Sequence, residues 1–173
     1  MLPVIVIPAD NRILYFERDR EMFGFLSHFH LAAIVLDGEN WPTVEHYYQA
    51  QKSFEPAYRE AIRNAVSPGI AKRLAASPTA PRRLSGQSWF RRHKVLPRSD
   101  WDLIKLEVMR RADEAKFTQH ADLAERLLAT GTAELVEDSQ ADAFWGIGPD
   151  CRGLNRAGRV LMDIRAGLRA VAD

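Results

Sequence analysis

The chain has 173 residues, 46% of them hydrophobic, and carries 24 Lys and Arg against 23 Asp and Glu for a net charge of +1. That length and apolar content fit one compact domain over residues 1–173, with no linker that would force a second. A balance so near zero argues against tight non-specific DNA binding by the chain as a whole, yet leaves room for a local basic patch. The dense run Arg82-Arg83, then Arg91-Arg92-His93-Lys94, reads either as a solvated loop face or as a phosphate-binding surface. A lone Cys151 rules out an intramolecular disulfide and a Cys-rich zinc site. The N-terminus lacks a basic n-region and a long apolar core, and the stretch Phe23 to Leu36 holds His28 and His30 and is too short to cross a bilayer. A cytoplasmic location without membrane contact is therefore expected.

In chain order, Val4 to Ile7 and Ile13 to Phe16 read as strands around the turn Pro8-Ala9-Asp10-Asn11. Leu31 to Leu36 is a third strand, closed by Asp37-Gly38. Thr43 caps a helix that runs to about Phe54. Pro56 opens a second helix, ending near Val66. Ser67-Pro68 opens a third, ending near Ser77-Pro78, with Ser as cap and Pro at the first helical position. Residues 78 to 88 read as a loop. Ser99-Asp100 caps a long helix from Trp101 to about Phe117, with Ile104, Val108 and Ala112 on its apolar face and Leu103 and Leu106 beside it. Another helix spans Ala121 to Ala129 and stops at Gly131. Ala133 to Val136 is a short strand, Gly146 to Gly153 a glycine-rich loop, and Arg156 to Val171 the last helix. Six helices and three or four short strands, strands first, predict an α+β, predominantly helical fold with a small sheet.

Two segments carry chemistry. In Trp41-Pro-Thr-Val-Glu-His-Tyr-Tyr-Gln-Ala-Gln-Lys-Ser-Phe54, the residues Glu45, Tyr48, Gln49 and Lys52 have the spacing of one helix face, about 10 Å from end to end. Tyr47, Ala50 and Phe54 form the opposite stripe, suited to the core. The polar face reads either as a solvated surface or as a site wall with a carboxylate and an amine facing a substrate. In the second segment, Asp142, Trp145, Gly146, Gly148, Gly153, Asn155 and Gly158 lead into the last helix. Glycines permit close backbone approach to a ligand, free amides at a helix start can hold an anion, and Trp145 offers a flat face. The same pattern serves plain connectors, and it matches neither a Walker nor a Rossmann fingerprint.

Other signals are weaker. Trp101 reads as core or as a stacking surface. The five histidines show no metal-site spacing on one helix, so no metal or cofactor is expected. Ser27 and Ser88 lack a nucleophile-elbow context. Cys151 reads as a loop residue.

The run Gly24-Phe-Leu-Ser27-His28-Phe29, then Asp37-Gly38 and Trp41-Pro-Thr-Val-Glu45-His46-Tyr-Tyr-Gln49-Ala-Gln-Lys52, resembles the N-terminal signature of the YbiA-like, or NADAR, family. The resemblance continues through Ser67-Pro68, Ala71-Lys72, Arg98-Ser-Asp100-Trp101, Lys105, Met109, Lys116-Phe117, Thr130-Gly131, Leu135-Val-Glu137, Asp142, Trp145-Gly146, Gly148, Gly153, Asn155 and Gly158. It covers roughly residues 13 to 169. His28 stands where the family usually has Asn, which bears on substrate preference if that position touches ribose or phosphate. The resemblance implies a mostly helical α+β fold and hydrolysis of an N-glycosidic bond. The implied substrates are ribosylamino-pyrimidine intermediates of riboflavin synthesis, small and phosphorylated, or ADP-ribosylated guanine bases in nucleic acid. It places Glu45, Lys52, Asp142, Trp145 and Asn155 in the active site and implies no metal.

For such substrates two chemistries are open. Lys52 can attack the ring-opened sugar carbon and form a Schiff base, with Glu45 as general acid and base. Alternatively, Glu45 or Asp142 activates water at an oxocarbenium-like centre while Lys52 only binds. Ser27, His28, Tyr48, Gln49, Trp101, Trp145, Gly146, Gly148 and Asn155 are then the substrate-binding candidates. A different class of function is a module that binds ADP-ribose or NAD without turnover.

Overall fold

The computed structural model describes residues 5–16, 22–82 and 86–172. Its elements are β1 (Arg12–Tyr15), a 3-10 turn (Gly24–Leu26), β2 (Ile34–Leu36), β3 (Glu39–Trp41), α1 (Val44–Ala50), α2 (Pro56–Arg63), α3 (Pro68–Leu74), α4 (Trp89–His93), α5 (Trp101–Gln119), α6 (Ala121–Ala129), β4 (Glu134–Glu137) and α7 (Arg156–Ala172). The predominantly helical α+β reading holds. Among the described residues there are seven α-helices, one more than expected: the five-residue α4 follows the predicted loop, part of which (83–85) lies outside the described residues. The chain divides into two compact units, 1–30 with 113–173, and 31–112.

In the first unit β1 pairs in parallel with β4, Ile13 beside Leu135 and Tyr15 beside Glu137. Ile13 and Tyr15 point inward and Leu14 outward, the period-two pattern of a strand covered on one face. The proposed strand at Val4 to Ile7 does not form: Val4 lies outside the described residues, and Ile5 to Ile7 join no ladder. α7 packs on β4 and α6. Its buried Arg165 donates to Thr130 Oγ1 and to Ala133 O, tying the helix to the turn after α6. Gly131 ends α6 with a positive φ of 60°.

The same unit buries a cation. Lys116 is fully buried on α5, and its ammonium donates to Phe25 O at 2.6 Å and Ser27 O at 2.9 Å. Phe25 lies in the 3-10 turn and Ser27 caps its end, and Ser27 O also accepts from His30 N at 3.1 Å. Burial pulls the Lys116 pKa down to about 8, against the opposing charge of Asp113.

In the second unit β2 and β3 form a hairpin with Ile34 opposite Trp41. The turn residues Asp37 and Gly38 both have positive φ, 55° and 76°, as a two-residue hairpin of this twist requires. The predicted third strand was thus half of a hairpin, and its first three residues stay outside the ladder. Trp41 is fully buried, with the Arg59 and Arg63 guanidiniums over its ring and both arginines bound to Glu39.

α1 is buried along its whole length. Thr43 caps it as predicted, accepting from His46 N. It stops at Ala50, not near Phe54. Tyr58 donates to Gln49 O at 2.8 Å, Lys52 N closes a short turn onto the same carbonyl, and Pro56 disfavours helix at the residue before it. Phe54, expected to face the core with Tyr47 and Ala50, is 72% exposed. α2 and α3 pack on α1 and are shorter at their C-termini than predicted. On α5 the apolar reading holds for Val108 and Ala112, whereas Leu103 is exposed.

Two expected outcomes test this architecture. Lys116→Met should cost about 2 kcal/mol in urea unfolding, because Phe25 O loses its ammonium donor and Ser27 O keeps only His30 N; a loss below about 1 kcal/mol would remove the structural role. On α7, a Cβ at Gly158 would meet Leu135 O at 2.0 Å, while one at Gly167 would meet nothing within 4 Å. Gly158→Ala should therefore destabilise by about 1–3 kcal/mol and Gly167→Ala stabilise by about 0.5–1 kcal/mol in the same assay.

Candidate active site

The second unit brings together Glu45, Tyr48, Gln49, Lys52 and Trp101. Glu45, Tyr48 and Gln49 are each about 95% buried, so the polar face of α1 is no solvated surface. Gln49 Nε2 donates to Glu45 Oε1 at 2.7 Å, one helical turn away. Gln49 Oε1 is buried with no partner.

Lys52 sits just beyond the end of α1. Its ammonium lies 5.9 Å from the centre of the Tyr48 ring and 5.7 Å from that of Trp101. The two rings tilt together with centroids 4.9 Å apart. Trp101, read from sequence as core or stacking surface, is half-buried and serves as this wall. Lys52 Nζ donates to Ala75 O at 3.3 Å, at the end of α3. Its backbone carbonyl accepts from Arg98 N. Burial lowers the Lys52 pKa to about 8; the Glu45 charge pushes it up, and Lys72 and Lys105 push it down. Burial wins, so at neutral pH a useful fraction of the amine is uncharged.

The remaining candidates lie in the first unit. His28 is buried, with Nε2 3.0 Å from Asp113 Oδ2, and its ring meets Trp145 edge-on at 6.4 Å. Asp113 is fully buried, and its Oδ1 has no partner; nor has the buried Tyr15 hydroxyl. Burial above all, then the charges of Glu137 and Asp113, raises the Tyr15 pKa well above its usual value. Sequence reasoning missed Tyr15 and Asp113, since a strand tyrosine reads as core and an aspartate three residues before a lysine reads as a solvated helical pair.

Several expectations for the glycine-rich segment need correcting. Asn155 does not present its amide to a ligand: its Oδ1 accepts from Glu137 N and its Nδ2 donates to Leu135 O, so it pairs with β4 as another strand would. The first amides of α7 are also engaged. Arg156 N donates to Phe144 O and Ala157 N to Trp145 O, which closes the anion-binding helix start proposed from sequence. Gly146 and Gly148 are small because the loop packs on itself. A Cβ at Gly146 would meet Glu137 O at 2.7 Å, and one at Gly148 the Ala143 side chain at 2.9 Å. Asp142 Oδ1 accepts from both Phe144 N and Trp145 N at 2.9 Å, which fixes the loop that carries Trp145. Ser27 Oγ accepts from Phe29 N and its carbonyl from Lys116, so the residue shapes the turn before His28.

Among the described residues, no group of three or more His, Cys, Asp or Glu side chains could hold a metal ion, and no helix is long and apolar enough to cross a membrane.

Comparison with known proteins places this geometry. The NADAR domain family matches residues 14–169. N-glycosidase YbiA of Escherichia coli is 40% identical over 158 residues, covering 91% of this chain and 89% of that protein. N-glycosidase Npun_R5314 of Nostoc punctiforme is 40% identical over 90% of this chain and 92% of its own. Riboflavin biosynthesis protein PYRR of Zea mays is 37% identical over 93% of this chain but only 26% of that longer protein. The NMR structure of the E. coli protein YbiA superimposes with a TM-score of 0.74 at 36% identity, over 99% of this chain and 95% of that one. A chain matched over nearly its whole length in both sequence and fold belongs to the NADAR family.

Proposed function

We propose that this chain hydrolyses the bond between a ribose C1 and an exocyclic nitrogen, through an imine formed on Lys52. The observation that carries the reading is the Lys52 amine, seated on two aromatic rings with its pKa lowered to about 8, near the buried carboxylate of Glu45. The names of the similar proteins, N-glycosidase and riboflavin biosynthesis protein, support the reaction class. The substrates it fits are a ribosylamino-pyrimidine of the riboflavin route and an ADP-ribosylated guanine, because both attach an exocyclic amine to the anomeric carbon.

The steps balance as follows. Ring opening turns the ribosylamine into an iminium at C1. The neutral Lys52 amine forms a C1–Nζ bond. The Glu45 carboxylate takes one proton from the added Nζ and passes it to the original amine, which leaves with the electron pair of its bond to C1 while the Nζ lone pair closes the new C1–Nζ iminium. Water adds to the Lys52 iminium as the Glu45 carboxylate takes its proton, and collapse releases the open-chain sugar and free lysine. Tyr48 and Trp101 exclude water from the amine and keep it partly deprotonated. The carboxylate-and-water route through Asp142 is less favoured, since one oxygen of that residue already holds two backbone amides. A module that only binds ADP-ribose would leave the lowered lysine without a task.

Turnover should rise with pH through about 8 and then level, because the reactive form is the neutral amine and the pKa is lowered to that value; a profile flat from pH 6 to 9 overturns the assignment. Lys52→Arg should lose turnover by at least about a thousandfold, since guanidinium is no nucleophile near neutrality. Borohydride added during turnover should leave a ribosyl adduct on the peptide containing Lys52. Retained activity in Lys52→Arg with no adduct would return the reaction to a carboxylate-activated water. Glu45→Gln should lower turnover about 100-fold or more while stability changes by less than about 1 kcal/mol, because the amide oxygen can still accept from Gln49. In residual activity its pH limb should move to lower pH, as the charge that raises the Lys52 pKa is gone.

A further inference from the structure

Buried polar atoms in folded proteins nearly always have a partner, and α1 leaves one acceptor open. Gln49 is 4% exposed, and its Oε1 has no hydrogen-bond partner. Among the described residues of the second unit, one other buried side-chain polar atom shares that condition, Gln51 Nε2. The Oε1 of that residue takes Arg59, whose guanidinium lies over Trp41, so its amide belongs to the Trp41 cluster. Gln49 alone has its open atom on the side chain that grips Glu45.

The direction of the open atom is set by its neighbours. Gln49 Nε2 donates to Glu45 Oε1 at 2.7 Å. A carboxylate only accepts, so the nitrogen of the amide must face Glu45 and the oxygen must face away from it. The backbone is pinned as well: Gln49 O takes Tyr58 Oη at 2.8 Å and Lys52 N at 3.3 Å. An exposed glutamine would turn its oxygen to water. This one is fixed, and its oxygen stands one amide width from the nitrogen that holds the carboxylate.

The proposed reaction decides what can answer it. C1 must lie where Lys52 Nζ can reach it and where Glu45 can pass a proton from Nζ to the departing amine. The departing amine has to receive that proton, and an amide oxygen is far too weak a base to manage the transfer. The donor that remains beside C1 is the 2-hydroxyl, on the next carbon both in the closed ribose and in the imine. The hydroxyl released by ring opening lies further along the sugar.

We propose that Gln49 is a specificity-determining residue whose Oε1 accepts a hydrogen bond from the 2-hydroxyl of the sugar, so that the substrates are ribosides and not 2-deoxyribosides or arabinosides. In naming the hydroxyl, this rests on the reading of Lys52 and Glu45 as the reacting pair. Access to the covered oxygen requires a side chain to shift, and Lys52, with a single side-chain bond of 3.3 Å, is the one that the reaction itself sets in motion. Once bound, the sugar is tied to the carboxylate through one chain, hydroxyl to Gln49 to Glu45, which fixes C1 for proton transfer. A sugar without that hydroxyl leaves the buried oxygen unanswered and C1 untethered.

The test compares a ribosylamino-pyrimidine with its 2-deoxy and arabino counterparts. The arabino hydroxyl withdraws electrons from C1 as the ribo hydroxyl does but projects to the opposite face. Each kcat/KM is divided by the spontaneous hydrolysis rate of the same compound. The wild-type protein should prefer the ribo substrate by at least about 100-fold over both others. Gln49→Met, similar in length but without an amide, should reduce that preference at least about tenfold, whatever it does to all three rates through Glu45. A purely structural Gln49 would lower the three rates by one common factor. A wild-type preference below about tenfold, or a preference unchanged in Gln49→Met, would overturn the proposal. The wild-type comparison decides the matter even where Gln49→Met does not fold. A borohydride-trapped adduct on Lys52 without ribo preference sinks the role of Gln49 alone; ribo preference without an adduct sinks the imine reading alone.

Discussion

Burying a polar group without a partner costs free energy, and α1 is a helix with no exposed face. Every polar side chain it carries must therefore be answered from within the second unit. His46 is answered twice, by Thr43 Oγ1 at 2.8 Å and by Ala65 O at 3.1 Å. Tyr47 donates to Asp37 at 2.9 Å, and Asp37 also takes Arg111 at 2.8 Å. Glu45 accepts from Gln49. Once these hydrogen bonds are met, the hairpin turn and the link between α2 and α3 are fixed against α1, because Asp37 and Ala65 sit on them. What is left unanswered is Gln49 Oε1, beside the carboxylate assigned to chemistry. A buried acceptor without a donor is where a substrate hydroxyl or amine would be most strongly held.

The two lysines with lowered pKa show why burial alone does not mark a catalyst. Lys52 and Lys116 are both brought down to about 8 by desolvation. Lys116 spends its ammonium on two short bonds, to Phe25 O and Ser27 O, and its surroundings are protein on all sides. Lys52 makes one long bond of 3.3 Å and rests against ring faces. An amine that must attack carbon needs its lone pair free once deprotonated. Two strong carbonyl acceptors hold Lys116 as a donor, whereas Lys52 can turn.

Much of this was legible in the sequence. The helix caps at Thr43 and Ser67, the turn at Asp37-Gly38 and the stop at Gly131 are local signals, and each stands where its chemistry placed it. The side-by-side placement of Glu45, Tyr48 and Gln49 followed from helical spacing, which is also local. What spacing could not reveal is which face is covered. The polar side of α1 is buried because other elements close over it, and Phe54 is exposed because the helix ends four residues earlier. Tyr58 supplies that end from another helix. Asp113 and Tyr15 were invisible for the same reason: their significance is a burial created by residues distant in the chain.

The glycine-rich segment was the least faithful guide. Glycine before a helix has two physical uses, approach to a ligand and approach to the chain itself, and the sequence pattern is the same for both. The structure separates them by the fate of the backbone amides. Those of Asn155, Arg156 and Ala157 donate to Gly146 O, Phe144 O and Trp145 O, so the loop consumes the donors that an anion would need. A helix dipole with its first amides spent offers only a weak residual field. Negative charge on a ligand must then be met by side chains. In the second unit the cations whose charges act on Lys52 are Lys72 and Lys105, the latter held by Asp102 at 2.6 Å. The same cations that would attract a phosphate also disfavour a proton on Lys52. If Lys52 is the proposed nucleophile, anion recognition and its uncharged state draw on one set of charges, and a bound phosphate, by neutralising them, would let the Lys52 pKa rise.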